Sequence, residues 1–71
     1  MQDIKIGGTY RHYKGNEYIV IAIARHSETL EEMVIYRDTK DEGKIWARPA
    51  HMWNEEVRVN GTSTPRFSHL S

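Results

Sequence analysis

Hydrophobic residues concentrate in one segment of the chain, EYIVIAIARH, which runs from residue 17 to residue 26. Its isoleucines and valine are β-branched, and a turn signal, Lys14-Gly15-Asn16, comes directly before it. Both features favour a strand over a helix of the same length. Regular alternation places on one face Tyr18, Val20, Ala22, Ala24 and His26, and on the other Ile19, Ile21, Ile23 and Arg25. Because both faces are apolar at mid-strand, the pattern predicts a central strand bent across a small barrel.

Four shorter segments with strand-like composition surround this central one, and turn residues separate them. They cover residues 8–13, 33–37, 44–48 and 55–59. Pro49 ends the fourth strand and is expected to start a short helical turn, PAHMW, that folds onto the core. Five short strands with tight turns and one helical turn predict an all-β fold, namely a small SH3-like, partly open antiparallel barrel. An OB-like barrel or a simple antiparallel sheet is the alternative.

The length of 71 residues predicts a single domain over 1–71, with the polar residues 66–71 as a candidate loose tail. The chain has no cysteine, so neither a disulfide nor a thiolate metal site supports it. No apolar run approaches the roughly 20 residues of a membrane span. The start, MQDIKIGG, lacks the regions of a signal peptide. We therefore expect a cytoplasmic protein that is intact from its first Met.

Ten basic residues balance ten acidic ones. A general polyanion binder would carry a basic excess, because counterion release drives such binding. The equal numbers of acidic and basic residues therefore favour binding of an anion at one small site over binding along an extended stretch of nucleic acid. Six of the ten acidic residues cluster in or beside two predicted loops, SETLEE and TKDEGK, namely Glu28, Glu31, Glu32, Asp38, Asp41 and Glu42. Basic residues dominate the first part of the chain.

Polar and aromatic residues concentrate in four stretches, GTYRHYKG, ARHSETLEE, VIYR and IWARP. We interpret them as a recognition site lined by Arg11, His12, Arg25, His26, Glu28, Tyr36, Trp46 and Arg48. In this hypothesis arginines bind phosphate or carboxylate oxygens, Trp46 or Tyr36 stacks on a flat group, and Glu28 orients one arginine. Alternatively, Arg11, Arg25 or Arg37 pairs internally with Glu28, Glu31 or Asp38, and Trp46 fills the centre of the barrel.

Catalysis and metal binding have weak support. His26-Ser27-Glu28 holds a base, a nucleophile and an acid, but adjacent residues of an extended chain point apart, and no G-x-S-x-G motif is present. The four histidines, His12, His26, His51 and His69, show no ligand spacing with one another. No catalytic residue, metal or cofactor is predicted.

The polar stretches resemble a small bacterial family catalogued as a domain of unknown function. The matching pattern is G-x-Y-R-H-x-K-G-x-x-Y from Gly8 to Tyr18, A-R-H-S-E-T-x-E from Ala24 to Glu31, V-x-Y-R from Val34 to Arg37, W-x-R-P from Trp46 to Pro49, and P-R-F from Pro65 to Phe67. The resemblance covers most of the chain. It implies a compact domain and brings no established activity, cofactor or partner.

The sequence thus predicts a non-enzymatic binding module for an anionic ligand, such as a nucleotide, a short RNA or a carboxylate-bearing group. The alternative is a protein interaction module that takes a peptide in a groove between the SETLEE loop and the TKDEGK hairpin. A third reading is an enzyme that uses His26 or His12 as general base. No membrane partner is expected, and the oligomeric state stays open.

Overall fold

The computed structural model of the protein describes residues 4–71, so the first three residues of the predicted unit lie outside that range. Seven strands and one short helix follow one another along it. They are β1 (Thr9–His12), β2 (Glu17–Arg25), β3 (Glu32–Asp38), β4 (Ile45–Pro49), α1 (Ala50–Trp53), β5 (Glu56–Val59), β6 (Thr62–Pro65) and β7 (Phe67–His69). The predicted all-β class with one short helical turn is confirmed.

The strands form two antiparallel sheets. Five strands make the larger sheet in the order β4-β3-β2-β1-β7, and β5 pairs with β6 in a separate hairpin. Within residues 4–71 the larger sheet is open, with β4 and β7 at its edges, and does not close into a barrel. Because β1 lies between β2 and β7, the strand that comes first along the chain pairs with the strand that comes last.

Strand β2 contains a bulge that the sequence pattern did not reveal. Val20 pairs with Tyr36 while Ala22 pairs with Ile35, so Ile21 is the extra residue on β2. An extra residue reverses the alternation of the side chains that follow it. Ile23, and not Ala22, therefore joins Val20 on the core face, where it packs against the buried cluster. The predicted face assignment is correct up to Val20 and wrong beyond it.

The core consists largely of aromatic side chains on one face of the larger sheet and beneath α1. Its buried members are Tyr10, Val20, Val34, Tyr36, Trp53 and Phe67. The predicted helical turn is present as α1, but it starts at Ala50, since Pro49 is still the last residue of β4. Trp53 comes from this helix. Its ring stacks on Phe67 with 3.7 Å between centroids and meets Tyr10 edge-on at 5.3 Å. Close aromatic packing of this kind supplies much of the burial available to so short a chain.

Residues 66–71, which the sequence left as a candidate loose tail, include β7 and a core side chain. Phe67 is only 4% exposed. The β7 backbone pairs with β1, and the Thr9 amide donates to the Ser71 carbonyl at 2.7 Å. The polar composition of this segment does not indicate a strand. β7 forms because it gains its burial and hydrogen bonds from contact with a distant part of the chain.

Candidate functional site

One face of the larger sheet brings together four of the eight predicted site residues. Directly opposite residues of an antiparallel pair share a face. Tyr36 lies opposite Trp46, and Val34, which is part of the core, lies opposite Arg48. His12 lies opposite the buried Phe67. We call the resulting group the aromatic–arginine cluster, which consists of His12, Tyr18, Tyr36, Trp46, Arg48 and Phe67.

Contacts between rings hold the cluster together. Tyr18 meets Trp46 edge-on at 5.5 Å between centroids and meets Tyr36 at 5.3 Å. His12 meets Phe67 at 5.0 Å, also edge-on. Tyr36 and Phe67 are buried, whereas His12 and Tyr18 are half-buried and Trp46 is 40% exposed. The cluster therefore extends from the core to the surface of the protein.

Arg48 is the half-buried cation of this cluster. Its Nε donates a long hydrogen bond of 3.4 Å to the Tyr36 hydroxyl, and its guanidinium carbon lies 5.6 Å from the centre of the Phe67 ring. A cation at this distance is attracted to the negative face of the ring. Among residues 4–71, no carboxylate lies within ion-pair distance of Arg48. Neutral aromatic groups thus hold the charge in place, and within the described part of the chain Nε is the one guanidinium nitrogen of Arg48 that has a hydrogen-bond partner.

His12 is partly buried and lies near three cationic side chains. Burial lowers the pKa of His12, and the nearby charges of Arg48, Arg66 and Lys14 lower it further. The Lys14 amide donates to His12 Nδ1 at 3.1 Å, so the neutral ring carries its proton on Nε2. At neutral pH His12 therefore offers an N–H donor next to cationic groups.

Arg66 is a charged neighbour of the cluster that the sequence analysis did not select. It lies 3.6 Å from Glu55, and its Nε is buried without a hydrogen-bond partner among the described residues. Arg66 lies within the P-R-F part of the family pattern, and this match could have identified it as a candidate site residue. Tyr18 and Phe67 also belong to the cluster although they were not among the eight predicted site residues.

Arg11 lies on the opposite face of the sheet, because it is adjacent to His12 in β1. Its guanidinium pairs with the Glu17 carboxylate at 3.0 Å across the β1–β2 hairpin. The internal pairing considered from the sequence thus describes Arg11, although with a different carboxylate. The structure does not bring Arg11 to the cluster.

The remaining three predicted residues lie where β2 ends and in the connection that leads to β3. Arg25 is the last residue of β2, and His26 and Glu28 follow it. Arg25 donates to the Leu30 carbonyl at 3.2 Å. His26 Nδ1 accepts from the amides of Glu28 and Thr29 at 3.1 and 3.3 Å. Among residues 4–71 the Glu28 carboxylate has no arginine partner, so it does not orient one as predicted. The hydrogen bonds of all three residues serve the loop itself.

The same loop contains a leucine in the left-handed backbone region. Leu30 has φ of 62° and is 62% exposed. This conformation costs a residue with a Cβ about 1–2 kcal/mol. Leu30→Gly removes this cost, but glycine also makes the unfolded chain more flexible, which offsets part of the gain. We therefore expect a net rise of about 1 kcal/mol in the free energy of unfolding, as measured by urea denaturation. Leu30→Ala keeps the Cβ and should change little. A similar gain from both variants would exclude backbone strain as the cause.

The groove predicted for a peptide is not formed. The SETLEE loop precedes β3 and the TKDEGK loop follows it, so the two lie at opposite ends of a strand about 20 Å long. A polar cleft of about 130 Å³ lies instead between the β1–β2 turn and the β3–β4 loop. It is lined by Gly15, Asn16, Glu17, Asp38, Thr39 and Lys40.

Two features are absent from the described residues, a metal-binding group of side chains and a long apolar helix. Over residues 4–71, no three His, Cys, Asp or Glu side chains group in a way that could hold a metal ion. In the same part of the chain, no helix has both the length and the apolar character needed to cross a membrane.

Comparison with known proteins supports the resemblance noted from the sequence. A family model described as "Protein of unknown function (DUF1653)" matches residues 8–69. The crystal structure of a DUF1653 protein from Bordetella bronchiseptica superposes with a TM-score of 0.85 at 36% sequence identity, covering 99% of this chain and 91% of that one. No curated protein matches the chain. The chain therefore belongs to the DUF1653 family of proteins of unknown function.

Proposed function

We propose that this protein is a binding module and that its aromatic–arginine cluster binds an anionic ligand that contains a flat ring. A nucleotide and a short RNA are ligands of this kind. The observation that carries the proposal is Arg48, a half-buried guanidinium that contacts Tyr36 and Phe67 and has no carboxylate partner among residues 4–71. A charge withdrawn from water is costly unless an opposite charge compensates it. A bound anion supplies that charge.

The neighbours of Arg48 suit the other parts of such a ligand. Arginine offers paired N–H donors that match phosphate or carboxylate oxygens. His12 adds a donor at Nε2, and the exposed ring of Trp46 provides a surface on which a base can stack. The neutral net charge of the chain fits a ligand held at one point. We place this role in the cytoplasm, because the chain contains no cysteine.

Ligand titrations followed by NMR test the proposal, with adenosine 5′-monophosphate, adenosine, inorganic phosphate and acetate as probes. We expect the monophosphate to bind more tightly than either of its parts, and Arg48→Gln to weaken its binding by at least tenfold. Arg11→Gln is the matched control, because Arg11 lies on the opposite face in an ion pair with Glu17. Equal weakening in both variants, or no shift of Trp46 and Arg48 signals with any probe, would contradict the proposal.

The pKa of His12 provides an independent reading of the same site. The charge of Arg48 contributes to lowering that pKa, so Arg48→Gln should raise it in the free protein. A bound anion should also raise it, because an opposite charge favours the protonated ring. By linkage, binding then becomes tighter as the pH falls toward that pKa. The His12 ring protons report this in an NMR pH titration, with Arg58→Gln as the control for a distant arginine. If Arg48→Gln and Arg58→Gln shifted the pKa equally, Arg48 would not be the source.

A further inference from the structure

Strand β4 forms an open edge of the larger sheet. The Asp38 amide donates to the Lys44 carbonyl at 3.1 Å. This hydrogen bond determines which residues of β4 direct their backbone groups toward β3. Since the direction of backbone groups alternates along a strand, Trp46 and Arg48 bond toward β3, while Ile45 and Ala47 direct their N–H and C=O groups outward. Within residues 4–71, no strand pairs with this outward side.

Two large apolar side chains of this edge are accessible, one on each face of the sheet. Ile45 is 56% exposed on one face and Trp46 is 40% exposed on the other. An edge strand with free backbone groups and apolar side chains is a template for pairing with another strand. Pro49 removes one outward donor but keeps its carbonyl, so it limits the pairing without preventing it.

We propose that β4 pairs in an antiparallel manner with β4 of a second copy of this chain, about a twofold axis at Ala47. In this register Ala47 lies opposite the partner's Ala47, and the two exchange backbone hydrogen bonds. The Ile45 amide meets the carbonyl of the partner's Pro49. On the other face Trp46 lies opposite the partner's Arg48. The larger sheets of the two copies then form one continuous sheet.

The charges of β4 select this register over its neighbours. The smallest slide that keeps the outward-facing groups paired is two residues. A slide in one direction places Arg48 opposite the partner's Lys44, and a slide in the other places Arg48 opposite the partner's Arg48. Like charges directly opposite each other are destabilising. The register centred on Ala47 instead places each Arg48 beside an aromatic ring that can accept a cation.

The pairing brings a residue of the partner to the aromatic–arginine cluster. Arg48 already contacts Phe67 and Tyr36 of its own chain. The partner's Trp46 would lie opposite Arg48 across the new strand pair. The two clusters then lie next to each other on the same face of the combined sheet. The pairing depends on the geometry of β4 and not on the proposed ligand, so the two proposals can fail separately.

Cysteine cross-linking tests the register directly, because the natural chain has no cysteine. In a hydrogen-bonded antiparallel pair the Cα atoms lie about 5.5 Å apart, a distance that a disulfide spans. We expect Ala47→Cys to form a disulfide-linked dimer as the main product of mild oxidation. Ser68→Cys, an exposed position on β7 at the other edge, should remain largely monomeric. No more dimer from Ala47→Cys than from Ser68→Cys would overturn the proposal.

Sedimentation equilibrium tests the pairing without a covalent link. The wild-type mass should rise with concentration from the 8.3 kDa of one chain toward twice that value. Ala47→Glu places two carboxylates against each other at the twofold axis and should hold the chain at monomer mass with its circular dichroism spectrum unchanged, because Ala47 is exposed. Ser68→Glu, the matched control, should associate like wild type. A wild-type chain that stays monomeric up to millimolar concentration would overturn the proposal.

Discussion

Trp53→Ala is expected to unfold most of the protein at room temperature. The Trp53 ring is buried between the sheet and α1, where it stacks on Phe67 and meets Tyr10 and Tyr36 edge-on. Loss of a buried tryptophan costs about 3–5 kcal/mol, because transfer energy and packing are lost together. Chains of this length have a core worth only about 3–5 kcal/mol in total. Urea denaturation followed by far-ultraviolet circular dichroism should therefore show little or no folded baseline.

The second tryptophan of the chain serves as the control for this prediction. Trp46 contacts Tyr18 and Tyr36 but is 40% exposed at the edge of the sheet. Trp46→Ala should cost about 1 kcal/mol and leave a cooperative transition, since partly exposed aromatic contacts contribute on that scale. If both variants lost the same stability, the core would not be centred on Trp53.

Deletion of Ile35 is expected to abolish cooperative folding. Ile35 separates Val34 from Tyr36 in β3, and both of these flanking side chains are buried on the core face. Without Ile35 they become neighbours on opposite sides of the strand, so one of them must turn to the outer face. β3 pairs on both sides, with β2 and with β4, so the error disrupts two ladders. The expected result is a chain without dispersed amide signals in its NMR spectrum.

Deletion of Ile21 should be far less harmful, although it removes the same residue type from a neighbouring strand. Ile21 is the extra residue of the β2 bulge and is 40% exposed. Without it, Val20, Ala22 and Ile23 alternate regularly and still pair with Tyr36, Ile35 and Val34. We expect a folded protein with a straighter β2 and a well-dispersed spectrum. If the two deletions were equally damaging, the bulge would be a required part of the fold.

Local pattern was sufficient to predict much of the fold, and the failures have a common origin. The β-branched run of β2 and the helical turn after Pro49 were found because their signals lie within a few adjacent residues. The face assignment beyond Val20 failed because a bulge is set by pairing with β3, which local alternation does not contain. β7 was missed for the same reason, since its strand structure depends on pairing with β1.

The same distinction separates the site residues that the structure brings together from those that it does not. Tyr36, Trp46 and Arg48 come together because β3 and β4 form a hairpin, which is a local arrangement. Arg11 and His12 are adjacent in a strand, so only one of them could face the cluster; alternation alone could have identified this. The role of Arg25 in the loop depends on the position of the Leu30 carbonyl, which sequence does not specify.

The pairing of β1 with β7 has a consequence for the order in which the strands assemble. β1, β2 and β3 each pair with the next strand along the chain, whereas β7 must find β1 from the other end of the described segment. Closing so long a loop costs entropy before any contact compensates it, so this pairing is expected to form late. Until it forms, the aromatic face of the sheet lacks the cover that Phe67 provides, and exposed hydrophobic surface of this kind promotes aggregation.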